Sequence, residues 1–187
     1  IEEPLRAQLA AIGALDYAQL VARRLRESGR EEGLEVCRLL EGYTRYGLAH
    51  AALASLPAGE FITTNYDTLF EEASEDAGRG VAVLPYAPAD GGGRWLLKMH
   101  GCVKHPDDIV LTRESYLRYA ERNAALAGIV QAMLITRRML FLGFSLRDDN
   151  FHRIVDAVRR AIRPQDDAGK AAFGTAVMRG SEDLLED

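Results

Sequence analysis

Five short apolar runs, with helical stretches between several of them, constrain the fold of this chain more than any other feature. They are "EFITT" (60–64), "VAVLP" (81–85), "RWLLKM" (94–99), "MLFLG" (139–143) and "AAFGTAVM" (171–178). Bounded by Gly, Pro and Asp, runs of this length suit strands buried on both faces. Helical spacing occupies residues 66–76, 113–120, 123–136 and 149–162, the last carrying Phe151, Ile154, Val155, Val158 and Ile162 on one stripe. Strands that alternate with helices imply an α/β fold built on a mostly parallel sheet. "PADGGGR" (88–94) and "PQDDAGK" (164–170) read as loops.

The residues before the first run have a different pattern. In "PLRAQLAAIGALDYAQLVARRLRE", Leu5, Leu9, Ile12, Tyr17, Leu20, Val21 and Leu25 recur close to a 3.6-residue period, and Gly13 divides the stretch into two helical pieces. "GLEVCRLLEGY" and "LAHAALASL" are shorter helices, the second ended by Pro57. The expected organisation is therefore a helical module over residues 1–57 and an α/β core over 58–178, within one domain spanning 1–187.

Charge and cysteine usage narrow the function classes. Lys and Arg number 23 against 28 Asp and Glu, a net charge of −5, which gives no global footprint for direct nucleic-acid binding. The pairs Arg137-Arg138 and Arg159-Arg160 read as solvated helix surface. No apolar run approaches membrane-spanning length. Cys37 and Cys102 are far apart and lack a CxxC partner, which points to reduced thiols in a cytoplasmic setting and not to a disulfide framework or a zinc site.

In open α/β sheets, ligands bind beyond the carboxyl ends of the strands. Three of the runs are followed there by unusual polar residues. Run 60–64 leads into Asn65 and Asp67, run 94–99 into His100-Gly101, and run 139–143 into Ser145, with Asp148 and Asn150 opening the next helix. Each has a local explanation: Asn65 and Asp148 as helix-capping residues, Asp67 as a carboxylate that favours the N-terminus of the next helix, His100 as a core-edge histidine. Three polar strand ends in one chain favour a site, with all three sets facing one crevice if the strands are parallel neighbours. The other histidines, His50, His105 and His152, read as surface residues.

The motifs "TTNYD" (63–67), "KMHG" (98–101), "LTRESY" (111–116) and "LGFSLRDDN" (142–150), in this order, resemble bacterial sirtuin-like domains of anti-phage defence systems. These include the NAD-consuming subunits of Thoeris and sirtuin-like proteins paired with Argonaute or helicase partners. The resemblance covers roughly residues 1 to 178 and implies a Rossmann-like sheet with an inserted helical module. It makes Asn65 and His100 catalytic and places Thr64, Asn65, Asp67, His100, Gly143, Ser145, Asp148 and Asn150 against NAD. Asn65 would lie beside the nicotinamide ribose and Asp67 would accept from the carboxamide.

Two departures qualify the resemblance. Sirtuin deacylases carry a four-cysteine zinc module, and two cysteines cannot build it, so no zinc ribbon and no metal is expected. Sirtuin-like domains also open with a strand and a "GAGxS" loop that holds the pyrophosphate, and no such stretch precedes Asn65. The expectation is that this chain is a fragment whose natural protein continues upstream.

The resemblance implies NAD hydrolysis to nicotinamide and ADP-ribose in an abortive-infection effector, with further domains or a partner protein and a homo-oligomer in the intact system. A non-catalytic NAD-sensing or scaffold module is the first alternative, and an NAD-dependent protein deacylase the second. The chemistry suits the residues. Cleaving the nicotinamide–ribose bond leaves an oxocarbenium-like sugar and a neutral leaving group, so positioning and a polarised nucleophile matter more than acid catalysis. A histidine can serve as the base near neutral pH.

Overall fold

The computed structural model describes residues 12–162 and 173–177. Leu5 and Leu9 of the first helical stretch, the 164–170 loop and the ends of the fifth apolar run lie outside the described residues. The chain divides into two compact units between Arg118 and Tyr119.

The first unit opens with helices α1 (Ala14–Glu27), α2 (Glu32–Leu40) and α3 (Leu48–Ala54). Gly13 stands at the N-cap of α1, where the sequence pattern placed a break. Strands β1 (Glu60–Thr63), β2 (Ala82–Leu84) and β3 (Trp95–Lys98) follow, with helix α4 (Leu69–Asp76) between β1 and β2. The sheet order is β1-β3-β2, all parallel. Strand β3 is central, which explains its composition. Leu96, Leu97 and Lys98 are 2%, 0% and 1% exposed, so both faces of the strand are covered. Arg94, just before β3, donates through Nη2 to Ala54 O at 2.9 Å and through Nε to Ala58 O at 3.1 Å. It thereby satisfies the last carbonyl of α3 and one in the link to β1.

After β3 the chain makes a 3-10 turn at Pro106–Asp108 and helix α5 (Arg113–Leu117). Helix α2 packs on that turn through Gly33. A Cβ there would lie 2.1 Å from the Pro106 carbonyl oxygen. One helical turn on, the Cys37 thiol donates to Val103 O at 3.1 Å. Helix propensity alone favours alanine over glycine at position 33. The packing reverses the sign: Gly33→Ala should lower stability by about 1–3 kcal/mol, because a backbone atom obstructs the methyl group. A thermal melt of the two proteins checks this. Arg113 at the start of α5 makes a bidentate pair with Asp16 of α1, at 2.9 and 3.0 Å. That hydrogen bonding holds the Asp16 carboxyl below the usual carboxylate range.

The second unit holds α6 (Tyr119–Arg122), α7 (Ala124–Thr136), β4 (Met139–Leu142), α8 (Asp149–Ala161) and β5 (Gly174–Val177). Strands β4 and β5 pair in parallel, Met139 opposite Gly174 through Leu142 opposite Val177. All five apolar runs are strands, and the α/β reading with a parallel sheet flanked by helices holds. One detail differs from the sequence expectation. Strand β4 is not buried on both faces. Phe141 packs edge-on against Phe151 of α8 at 5.6 Å, while Leu140 and Val177 are 54% and 55% exposed. One side of the sheet is covered by α8, and the described residues leave the other open. Arg137, Arg138, Arg159 and Arg160 are exposed, as a solvated surface requires.

Candidate active site

Asn65 and His100 are brought to the same level by register. Thr63 and Lys98 are the last paired residues of β1 and β3, and Asn65 and His100 each lie two residues beyond them. Met99 N–H extends the ladder by donating to Thr63 O at 2.9 Å. Parallel neighbours run in the same direction, so both residues emerge at the carboxyl edge of the sheet.

The turn after β1 is tightly specified. Asn65 N–H donates to Thr63 Oγ1 at 3.0 Å. Asp67 Oδ1 accepts from Leu69 N–H at 3.0 Å, which sets this carboxylate at the N-terminus of α4, one residue ahead of the N-cap Thr68 and in the local role expected of it. Tyr66, between them, ties the turn to the segment after β3. Its carbonyl accepts from Val103 N–H at 2.9 Å, and its hydroxyl donates to Val110 O at 2.8 Å. Val110 N–H in turn donates to His100 O at 2.9 Å. The backbone N–H and C=O of Val110 thus link the Asn65 turn to the backbone of His100. Thr64 is half-buried and Asn65 is exposed.

His100 is 4% exposed, and its ring meets that of Tyr116 edge-on at 5.3 Å. This accounts for the "LTRESY" motif. Thr112 is the N-cap of α5 and accepts from Ser115 N–H at 3.2 Å, which sets the helix that carries Tyr116 to His100. Gly101 is required by the path that follows. Its φ is +90°, and a Cβ would lie 2.4 Å from Asp108 O.

Lys98 completes the arrangement. Its Nζ is 2.9 Å from Glu71 Oε1 on α4 and also donates to the carbonyl of Asp67. Tyr66, Glu71, Lys98 and Tyr116 were not assigned from sequence. A lysine within the apolar "RWLLKM" and a tyrosine framed by Asn and Asp were the available signals.

In the second unit, Gly143 has a φ of +62° and Leu146, three residues on, a φ of +56°. Ser145 is exposed. Asp148 is the N-cap of α8, its Oδ1 accepting from Phe151 N–H at 2.8 Å. Burial and then the Asp148 charge push the Tyr119 phenol up. Asn150 is 2% exposed, and neither its Oδ1 nor its Nδ2 has a hydrogen-bond partner among the described residues. A buried amide left open at both atoms is costly.

A cleft of about 860 Å³ in the first unit lies elsewhere, lined by Glu71, Glu72, Glu75, Asp76, Tyr86 and His105 among others. Neither Asn65 nor His100 lines it. Two of its carboxylates are engaged locally: Asp76 accepts from the Tyr46 hydroxyl at 2.7 Å, and Glu72 from Thr68 Oγ1 at 2.8 Å. His105 stacks on Tyr86 at 3.8 Å, His50 Nδ1 accepts from Gly47 N–H at 3.3 Å, and His152 is exposed. No group of three or more His, Cys, Asp or Glu among the described residues is placed to hold a metal ion.

The SIR2-like domain description matches residues 59–185, more than half of the chain. The chain belongs to the SIR2-like domain family. Within this family it is 33% identical over 118 residues to the NAD(+) hydrolase ThsA of Bacillus cereus (strain MSX-D12), a match that covers 60% of this chain and 25% of that protein. It is 34% identical over 120 residues to the NAD(+) hydrolase ThsA of Enterococcus faecium, again covering 61% of this chain and 25% of the relative. To the defense-associated sirtuin 2 of Bacillus subtilis it is 27% identical over 118 residues, 59% of this chain and 12% of that protein. The chain spans about a quarter of the length of the ThsA relatives it matches. The resemblance drawn from "TTNYD", "KMHG", "LTRESY" and "LGFSLRDDN" is therefore to the correct family.

Proposed function

We propose that this SIR2-like domain hydrolyses NAD at the nicotinamide–ribose bond, giving nicotinamide and ADP-ribose, in a protein of anti-phage defence. The observation that supports the reading is the register of β1 and β3, which pairs Thr63 with Lys98, so that Asn65 and His100 each follow two residues beyond the carboxyl end of adjacent parallel strands. The names of the relatives support it.

In this mechanism water is the nucleophile and nicotinamide the leaving group. One water molecule adds to the ribose carbon, the C–N bond electrons leave with nicotinamide, and one proton is released. His100 takes up that proton. Its burial against Tyr116 shields the base from bulk water. The Asn65 side chain orients the water or a ribose hydroxyl through its amide. Asp67 uses the carboxylate oxygen not engaged by Leu69 N–H to accept from the carboxamide. Thr64 belongs to the same contact surface. On resemblance, Gly143, Ser145, Asp148 and Asn150 contact the cofactor, and the open amide of Asn150 suits a ribose hydroxyl. No metal enters the reaction as drawn. Further domains or a partner protein, and a homo-oligomer, would supply activation in the intact system. Two free thiols accord with a cytoplasmic setting, and no helix among the described residues is long and apolar enough to cross a membrane.

The test is incubation of the intact protein with NAD, following nicotinamide release, beside a parallel assay with an acetylated peptide. Nicotinamide formed without peptide supports hydrolysis. Release that requires the peptide would replace it with deacylation, and no release with NAD bound would leave a sensing module. Asn65→Ala should lower turnover by on the order of 10²-fold. Its stability should stay within about 0.5 kcal/mol of the unchanged protein, because the side chain is exposed. Denaturant titration and nicotinamide release on the same preparation check both halves.

A further inference from the structure

Lys98 stands in the central strand of a parallel sheet and is 1% exposed. An ammonium group placed there is costly unless it is paired, and a well-packed apolar residue is often no less stable at such a position. Stability therefore does not explain why a charge is held in β3. Its partners point to another reason. Nζ is 2.9 Å from Glu71 Oε1, in the first turn of α4, and also donates to the carbonyl of Asp67. One side chain thus reaches from the strand that leads to His100 across to the turn that carries Asn65. The far side of the same turn is fixed by Asp67 Oδ1 accepting from Leu69 N–H at 3.0 Å.

We propose that Lys98 and Glu71 are a positioning pair for NAD cleavage: Glu71 holds the ammonium group in place, and Lys98 holds the Asp67 carbonyl, fixing where Asn65 and Asp67 point relative to His100. Neither residue touches the reacting atoms. The inference rests on the NAD-hydrolase reading of the strand-end site.

The deciding variant is the paired replacement Lys98→Met/Glu71→Leu in the intact protein. Removing both charges together leaves no buried charge without its partner, so the core should still fold. Two quantities are read: the kinetics of nicotinamide release, and amide hydrogen exchange in the peptide spanning residues 64–70. The expected result is a cooperative melt, a kcat reduced about 10²-fold with a much smaller change in KM, and faster exchange in that peptide. A purely structural pair predicts the opposite, with turnover and exchange both unchanged once the core is repacked, and that result would overturn the inference. A paired variant that cannot fold would overturn it too, since the pair would then be a requirement of the core and not of the turn. If the unchanged protein releases no nicotinamide, the hydrolase reading has failed. The exchange measurement still decides whether Lys98 and Glu71 hold the turn.

Discussion

Replacement of His100 by alanine in the intact protein is expected to lower NAD turnover by on the order of 10²-fold or more, the loss typical of a removed general base. The backbone around His100 does not depend on its ring. Its carbonyl accepts from Val110 N–H, and Met99 N–H still donates to Thr63 O. What disappears is the proton acceptor and the edge-on contact with Tyr116. The stability cost of truncating a buried side chain should be about 1–3 kcal/mol, leaving a folded protein to assay. The measurement pairs a cooperative thermal melt with nicotinamide release. Near-normal turnover by a well-folded His100→Ala protein would remove His100 from the mechanism.

The second large effect is expected next to it. Gly101→Ala should cost about 2–4 kcal/mol, combining a left-handed backbone with a backbone clash. The φ of +90° is one part, and the added Cβ, 2.4 Å from Asp108 O and 2.7 Å from Asp108 C, is the other. Relief requires the loop from 101 to 108 to open. That loop leads directly to Val110, whose C=O accepts from the Tyr66 hydroxyl and whose N–H donates to the His100 carbonyl. Turnover should therefore fall about 10²-fold, through displacement of a base that is chemically intact. Gly29→Ala is the control. Gly29 also has a positive φ, +72°, but nothing lies within 4 Å of its added Cβ. It should cost only about 1 kcal/mol and leave turnover unchanged. Urea titrations and nicotinamide release on the two variants separate backbone strain from steric collision. Equal losses at both positions would show that strain alone accounts for Gly101.

The elements were legible because their signals are local. Five apolar runs of strand length became five strands, and the stripe from Phe151 to Val158 became the buried face of α8. Strand partnership was less legible, because parallel pairing joins residues far apart in sequence. Nothing in "MLFLG" says that it pairs with 174–177 and not with 60–63. The open face of β4 escaped for a related reason, since an apolar run records that a strand can be buried and not how many of its faces are. At the site, the rule that ligands meet strand ends singled out Asn65 and His100, while their level came only with the register of β1 and β3. The supporting residues did not follow. Tyr66, Glu71, Lys98 and Tyr116 act through partners at sequence separations of 27 to 44, or, for Tyr116, through the ring of a residue placed by another element. A motif supplies residue types, while such pairings are settled only by packing. Asp148 caps α8 and Asp67 holds the first N–H of α4, while each is also a candidate ligand contact, so two roles share one residue type at one position.

Trp95 is the chain's one tryptophan, and it opens β3, the middle strand of the first unit. Its fluorescence is therefore a built-in optical reporter of that three-stranded sheet alone. Far-ultraviolet circular dichroism, by contrast, sums the helices of both units. Following a denaturant titration with the two signals tells whether the units melt as one body or in sequence, since coincident curves are the mark of a single cooperative transition. The position of one indole ring makes that distinction available without a label.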